Sequence, residues 1–184
     1  MFIDELQEIR ACPEAREWVG DKDFHSAWEK CERADWLLWL VARKVGKKGW
    51  PTHQKLTLCT CACVQAIALP LMPADEKDHH STVEITQQWA RGKASLEDVF
   101  KAEQKSLRVA IETKYSTEEE RTNPHRLVAW AVTRAARTAR EALWAPDTVD
   151  DAAQASDNSE GALPKDSAHI LMCALIRTIL KVPE

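Results

Sequence analysis

Every apolar stretch in this chain meets a helix start or stop signal before it could reach ~20 residues, the length of a membrane span. The punctuation is regular. A short amphipathic segment over 2–11 places Ile3, Leu6 and Ile9 on one side. Pro13 suits the first position of a helix over 12–20, Gly20 suits its stop, and 23–31 reads as a third short helix. The longest unbroken apolar run, WLLWLVA at 36–42, is followed by Arg43, Lys44, Lys47 and Lys48, cations that favour a helix C-terminus.

A helix over 50–70 carries apolar residues at helical spacing and ends at Pro70 and Pro73. A polar loop follows at 73–80. Ser81 and Glu84 form the spacing of a capping box for a helix over 81–92, and Ser95 with Asp98 repeat the device for 95–114. Asn123 before Pro124 is a strong start for a helix that Pro146 ends. Residues 147–165 are acidic, small and poor in large apolar side chains, which predicts a surface loop or partly disordered excursion. A last amphipathic helix spans 166–184. The expectation is an all-α single compact bundle of six to eight helices over 1–184, with no sheet.

Composition agrees. At 184 residues the chain is long enough to bury one core, and Ala, Leu, Glu, Lys and Arg dominate over five Gly and one Tyr. A net charge of −4 gives no global reason to expect nucleic acid or an anionic membrane surface. No basic–apolar–small pattern opens the chain, so a cytoplasmic protein with six reduced Cys is expected, and no membrane association.

Three constellations could carry chemistry. Cys59, Cys61 and Cys63 alternate, so Cys59 and Cys63 share a helix face. With a histidine such as His53 they could hold a metal for an enzyme, or simply be small residues where helices pack closely. No second C-x-x-C or H-x₃₋₅-H pair supports the metal. His79 and His80 sit in the loop with Asp75, Glu76 and Asp78, where a solvated loop competes with acid–base or partner-binding roles. Arg134, Arg137 and Arg140, with Arg126 two turns earlier, form a basic stripe that could track phosphates or an acidic partner, or pair with nearby acids. No nucleophile elbow, phosphate-cradling glycine loop, HExxH motif or paired-carboxylate motif is present.

Eight Trp make the chain unusual. Trp28, Trp36 and Trp39 would share one face of an unbroken helix with Glu32 and Asp35, and burying two carboxylates in that face is costly. One solution leaves an exposed aromatic–acidic patch. The favoured one breaks the helix near Cys31–Ala34, with Asp35 capping a new helix whose Trp36, Leu37, Leu38, Trp39 and Leu40 feed the core.

The stretch AWEKCERADWLLWL (27–40) resembles the AWxxCxRxDWLLWL signature of a family of bacterial and phage-borne immunity proteins. LQEIRACPEAREWVG (6–20), CTCACVQAIALPLMP (59–73), VEITQQWARGKASLEDV (83–99) and SAHILMCALIRTIL (167–180) are similar to other segments of that family. About two thirds of the chain is covered, mainly 6–113. The loop ADEKDHHST and the segment RVAIETKYSTEEERTNPHRLVAWAV depart from its pattern. The resemblance implies a non-catalytic helical protein of the bacterial cytoplasm, in some cases phage-encoded. Such a protein binds and inhibits another protein: a toxin, or a host defence component in the manner of an anti-CRISPR.

The expected partner is therefore a protein, with nucleic-acid binding as the alternative, a metal-dependent enzyme as the third, and no cofactor. Candidate contacts are Glu32 and Arg33 beside the tryptophans, Asp75, Glu76, Asp78, His79 and His80 in the loop, and Arg126, Arg134, Arg137 and Arg140 on the stripe. A homodimer is compatible with so many tryptophans, but no residue specifies one.

Overall fold

The computed structural model describes residues 1–73, 76–112 and 123–183, which form helices joined by turns and loops, with no strand among them. The ten α-helices are α1 Phe2–Glu8, α2 Pro13–Val19, α3 Phe24–Lys30, α4 Ala34–Lys44, α5 His53–Ile67, α6 Lys77–Ala90, α7 Leu96–Glu112, α8 Pro124–Thr138, α9 Ala145–Asp157 and α10 Lys165–Ile179. Single 3₁₀ turns stand at Leu69–Leu71 and Ala142–Trp144. Ten exceeds the expected six to eight.

The extra helix falls where a loop was expected. Residues 147–157 belong to α9, which packs on α4, α5, α8 and α10. Its inward face is Ala145, Thr148, Val149, Ala152, Ala153 and Ser156, all buried. These small side chains recur at helical spacing and let neighbouring backbones approach closely. Pro146 sits in the first turn, where its missing N–H costs nothing. The low content of large apolar residues thus marks tight packing here rather than exposure.

Local signals elsewhere succeed where the partners are near in sequence. Asp98 N–H donates to Ser95 Oγ at 3.1 Å while Ser95 N–H donates to Asp98 Oδ2 at 3.0 Å, the reciprocal capping box at the start of α7. Asn123 Oδ1 accepts from His125 N–H at 3.0 Å and opens α8 ahead of Pro124. Ser81 is different. Helix α6 begins four residues earlier at Lys77, so Ser81 lies inside it and its hydroxyl donates back to the Asp78 carbonyl at 3.0 Å.

The expected break between α3 and α4 is present. Helix α3 ends at Lys30 and α4 begins at Ala34, but the capping position belongs to Arg33 and Asp35 lies within the first turn. The Asp35 carboxylate receives Arg33 Nε at 2.9 Å and Nη2 at 2.7 Å instead of a backbone N–H. The carbonyl of Trp28 is taken from far away: Arg177 of α10 donates to it from Nε at 2.9 Å and Nη2 at 2.8 Å, and also reaches the carbonyl of Cys31.

The main core gathers buried residues of α4, α5, α8, α9 and α10 around Leu38, Leu56, Val132, Val149 and Met172. Helices α1–α3 form a satellite cluster with Leu6, Val19, Ala27 and Leu40, to which buried Lys44 is tied by its pairing with Glu5. Helix α5 is the central element. The stretch His53–Leu71 has the length and mean hydropathy, 1.3, of a membrane crossing, yet just over half of its apolar window is buried inside the protein. Neighbours on several sides explain that hydropathy, for α5 packs on α6, α8, α9 and α10.

One buried charge joins α7 to α8. Glu103 is 1% exposed and accepts from Arg137 Nε at 2.8 Å through Oε1 and from Arg140 Nη2 at 2.5 Å through Oε2. Removing one partner of such a group strands the remaining charges. Glu103→Ala should lower unfolding free energy by about 3–5 kcal/mol in urea titration; a loss within the ~0.5 kcal/mol of ordinary surface changes would contradict this role.

Candidate functional site

The satellite helices do not close fully on the main core. Between them lies a cleft of about 350 Å³, walled by α1, α2 and α3 on one side and by α4 and the start of α9 on the other. Phe2, Leu6, Ala11, Cys12, Ala15, Trp18 and Val19 come from the first two helices, and Ala27, Trp28 and Cys31 from the third and its end. Arg33, Asp35, Trp36, Leu37, Trp39 and Leu40 come from the α3–α4 junction and α4, and Pro146, Asp147 and Asp150 from α9.

The break at Cys31–Arg33 creates this geometry. A continuous helix would place Trp28 and Trp36 on one face, whereas the broken one sets them on separate elements that both turn toward the cleft. Trp18 and Trp36 meet edge to face with ring centroids 6.1 Å apart. Arg33 Cζ lies 4.9 Å from the Trp36 ring, Lys22 Nζ 4.7 Å from Trp18 and Arg43 Cζ 5.5 Å from Trp39. The two readings of the tryptophan run therefore both hold in part: the helix breaks, and an aromatic–acidic surface survives as a cleft.

Behind the carboxylates sits His169 of α10, 1% exposed, with neither ring nitrogen hydrogen-bonded among the described residues. Its Nδ1 is 3.9 Å from Asp35 Oδ1 and its Nε2 3.7 Å from Asp150 Oδ1, both beyond hydrogen-bond reach. Facing His169, with Lys165 Nζ 2.9 Å away, the Asp150 carboxyl is held well below the usual carboxylate range despite partial burial. The next residue behaves oppositely. Burial pushes the Asp151 carboxyl up to about 7 even with Arg134 Nη1 at 2.7 Å. Asp150 faces the cleft and pairs with Lys165 of α10, while Asp151 pairs with Arg134 of α8.

The expected contacts scatter. Arg33 lines the cleft and Glu32 is exposed on the linker beside it. The 73–80 segment is only partly a loop, because α6 takes Asp78, His79 and His80. His79 is buried, its Nδ1 3.1 Å from Ser106 Oγ, and burial lowers its basicity. Asp78 and His80 are exposed, and Glu76 is half-buried at the helix start. Asp75 lies outside the described residues. The arginine stripe is spent inside the protein: Arg134 on Asp151, Arg137 and Arg140 on Glu103, and Arg126 Nε on the Ala110 carbonyl at 3.3 Å. It pairs with acids, as one of its readings held, and offers no continuous run of uncommitted cations.

The cysteines stay apolar in character. Cys59, Cys61 and Cys63 are fully buried, and burial pushes the Cys61 and Cys173 thiols up to about 12. His53, the histidine nearest in sequence, turns Nε2 to the Thr138 carbonyl at 2.5 Å. Among the described residues no three His, Cys, Asp or Glu side chains gather closely enough to hold a metal ion.

Sequence reasoning missed Phe2, Cys12, Trp18, Asp147 and Asp150 as neighbours of the Trp36 region, because three other segments supply them. One signal was present: the two N-terminal motifs that carry the family resemblance both face this cleft. Comparison of the chain with family models, with curated proteins and with solved structures returns no match.

The Asp150 pairing has a pH consequence. A carboxyl with a depressed folded value adds stability above its unfolded value near 4, and that stability is lost as pH falls. The stability gap between wild type and Asp150→Asn should therefore narrow from pH 6 to pH 3 in urea titrations. A gap that stays constant over that range would contradict the pairing.

Proposed function

We propose that the chain is a non-catalytic inhibitor that binds another protein through the tryptophan-lined cleft and occludes a working surface of that partner. One observation carries the reading. The residues of the AWEKCERADWLLWL and LQEIRACPEAREWVG segments, which resemble the immunity-protein family, are the residues that converge on the cleft. Trp28, Cys31, Arg33, Asp35 and Trp36 meet Cys12, Ala15 and Trp18 there, although 7 or more positions separate the two segments.

Trp18, Trp36 and Trp39 pack against the core clusters but keep part of each indole on a cleft that also holds three carboxylates. Interfaces use such residues, because tryptophan supplies large rigid contact area and binding energy concentrates on a few such anchors. The partner class implied by the resemblance is a toxin or a component of a host defence complex, met in the bacterial cytoplasm. Binding by a rigid bundle needs no chemistry: it needs only that the cleft and its rim fit the partner better than solvent does.

The test plugs the cleft from its edge. Cys12 is exposed at the start of α2, so Cys12→Trp adds bulk at the cleft without opening the core. Tagged wild-type protein should capture one specific partner from bacterial or phage-infected cells and suppress that partner's measured activity. Cys12→Trp should weaken capture by roughly 30-fold or more, the scale of one hot-spot contact, with an unchanged melting curve. Full inhibition by a well-folded Cys12→Trp protein would move the contact surface away from the cleft.

A further inference from the structure

The charges in the cleft say what it should hold. Three carboxylates, Asp35, Asp147 and Asp150, face a single guanidinium, Arg33. That guanidinium is already matched, since it binds both oxygens of Asp35. Asp150 shares only Oδ1 with Lys165, and its Oδ2 has no partner among the described residues. Asp147 has neither a hydrogen bond nor an ion pair there. It occupies the first turn of α9, where it also offsets the positive end of the helix.

His169 sharpens the imbalance. It is a buried polar group that faces Asp35 and Asp150, at 3.9 and 3.7 Å, with neither ring nitrogen hydrogen-bonded among the described residues. Trp18, Trp36 and Trp39 line the same cleft, and each already carries a cation of this chain against its ring. Aromatic faces attract cations and repel anions. At about 350 Å³ the cleft lies near the small end of ligand pockets, with room for one or two side chains and not for a whole helix.

We propose that the cleft is a receptor for one lysine or arginine side chain of the partner protein, with the aliphatic stem against Trp18, Trp36 and Trp39 and the charged head between Asp147 and Asp150. The proposal rests on the cleft being the contact surface and adds the chemistry of what enters it. A cationic side chain suits both parts of the cleft: its stem covers the part-buried indoles, and its head supplies a donor to Asp147 and a second one to Asp150 beside Lys165. A purely apolar side chain would leave those acceptors desolvated and unpaired. An acidic one would meet three carboxylates at close range.

Small peptides test this without the partner. The eight indole N–H signals of ¹⁵N-labelled protein are followed by NMR during titration with Ac-Leu-Arg-NH₂, with its uncharged isostere Ac-Leu-citrulline-NH₂, and with Ac-Leu-Glu-NH₂. The arginine peptide should shift the Trp18, Trp36 and Trp39 signals at a concentration about five-fold or more below that of the citrulline peptide. That advantage should fall with added salt. Asp147→Asn, at an exposed position, should reduce it while costing no more than about 2–4 °C in melting temperature, the scale of one lost charge at a helix start, and bound peptide should slow maleimide modification of Cys12.

Equal response to arginine and citrulline, a preference for the glutamate peptide, unmoved cleft indoles, or an advantage untouched by Asp147→Asn would each overturn the proposal. Its failure is separable from failure of the inhibitor reading. Inhibition lost in Cys12→Trp with no arginine preference removes the cation alone. Arginine preference without any inhibited partner leaves the cleft chemistry intact and removes the inhibitor role.

Discussion

The Arg177 guanidinium, set against the carbonyls at the end of α3, is the contact on which the rest of this architecture depends. A helix end leaves carbonyls without partners, and a buried one must find donors elsewhere. Here the donor comes from α10, nearly the whole chain away. With Trp28 and Cys31 satisfied in this manner, the chain can turn at Glu32 and Arg33 and restart as α4 without a glycine and without a capping side chain on the Ala34 turn. The turn then decides everything at the N-terminal end. It sends Trp28 and Trp36 to different walls, leaves α1–α3 as a satellite of the main core, and opens the cleft between them.

Legibility in the sequence followed the range of the interaction. The Ser95–Asp98 box and the Asn123–Pro124 start read correctly because their hydrogen bonds close within three residues. Ser81 carries the same pattern but lies inside α6, whose start four residues earlier buries His79 against Ser106 of α7. No local rule sees that contact, 27 residues apart in the chain. Helix α9 escaped for a related reason. Its alternation is between small and polar residues, and Ala152 or Ala153 reads as core only once α4, α5, α8 and α10 are known to crowd it.

The functional surface shows the same division. Arg33 and the tryptophan run drew attention because their composition is unusual, and they do line the cleft. The arginine stripe drew attention for a charge density that the folded protein absorbs. Asp151 belongs to an acidic run that reads as exposed, and Glu103 is a lone acid on the inward side of an amphipathic helix, yet these two acids pair with three arginines of the stripe. Asp147 and Asp150 were invisible as cleft residues while 147–165 read as a loop. Reading α9 as an excursion thus hides the acids that it brings to the cleft.

Those two facts about charge are connected. Helix α9 carries its acids on more than one face, so a single element can spend Asp151 on Arg134 and still present Asp147 and Asp150 to the cleft. On the cleft side Arg33 is taken by both oxygens of Asp35, Lys165 reaches one oxygen of Asp150, and Lys22 and Arg43 lie against Trp18 and Trp39. The fold uses Arg134, Arg137 and Arg140 to hold α7 and α9 against α8. What remains unbalanced is negative charge beside half-exposed indole. That is the condition under which a surface gains most from a cationic side chain and least from a nucleic acid, since the phosphates would meet carboxylates first.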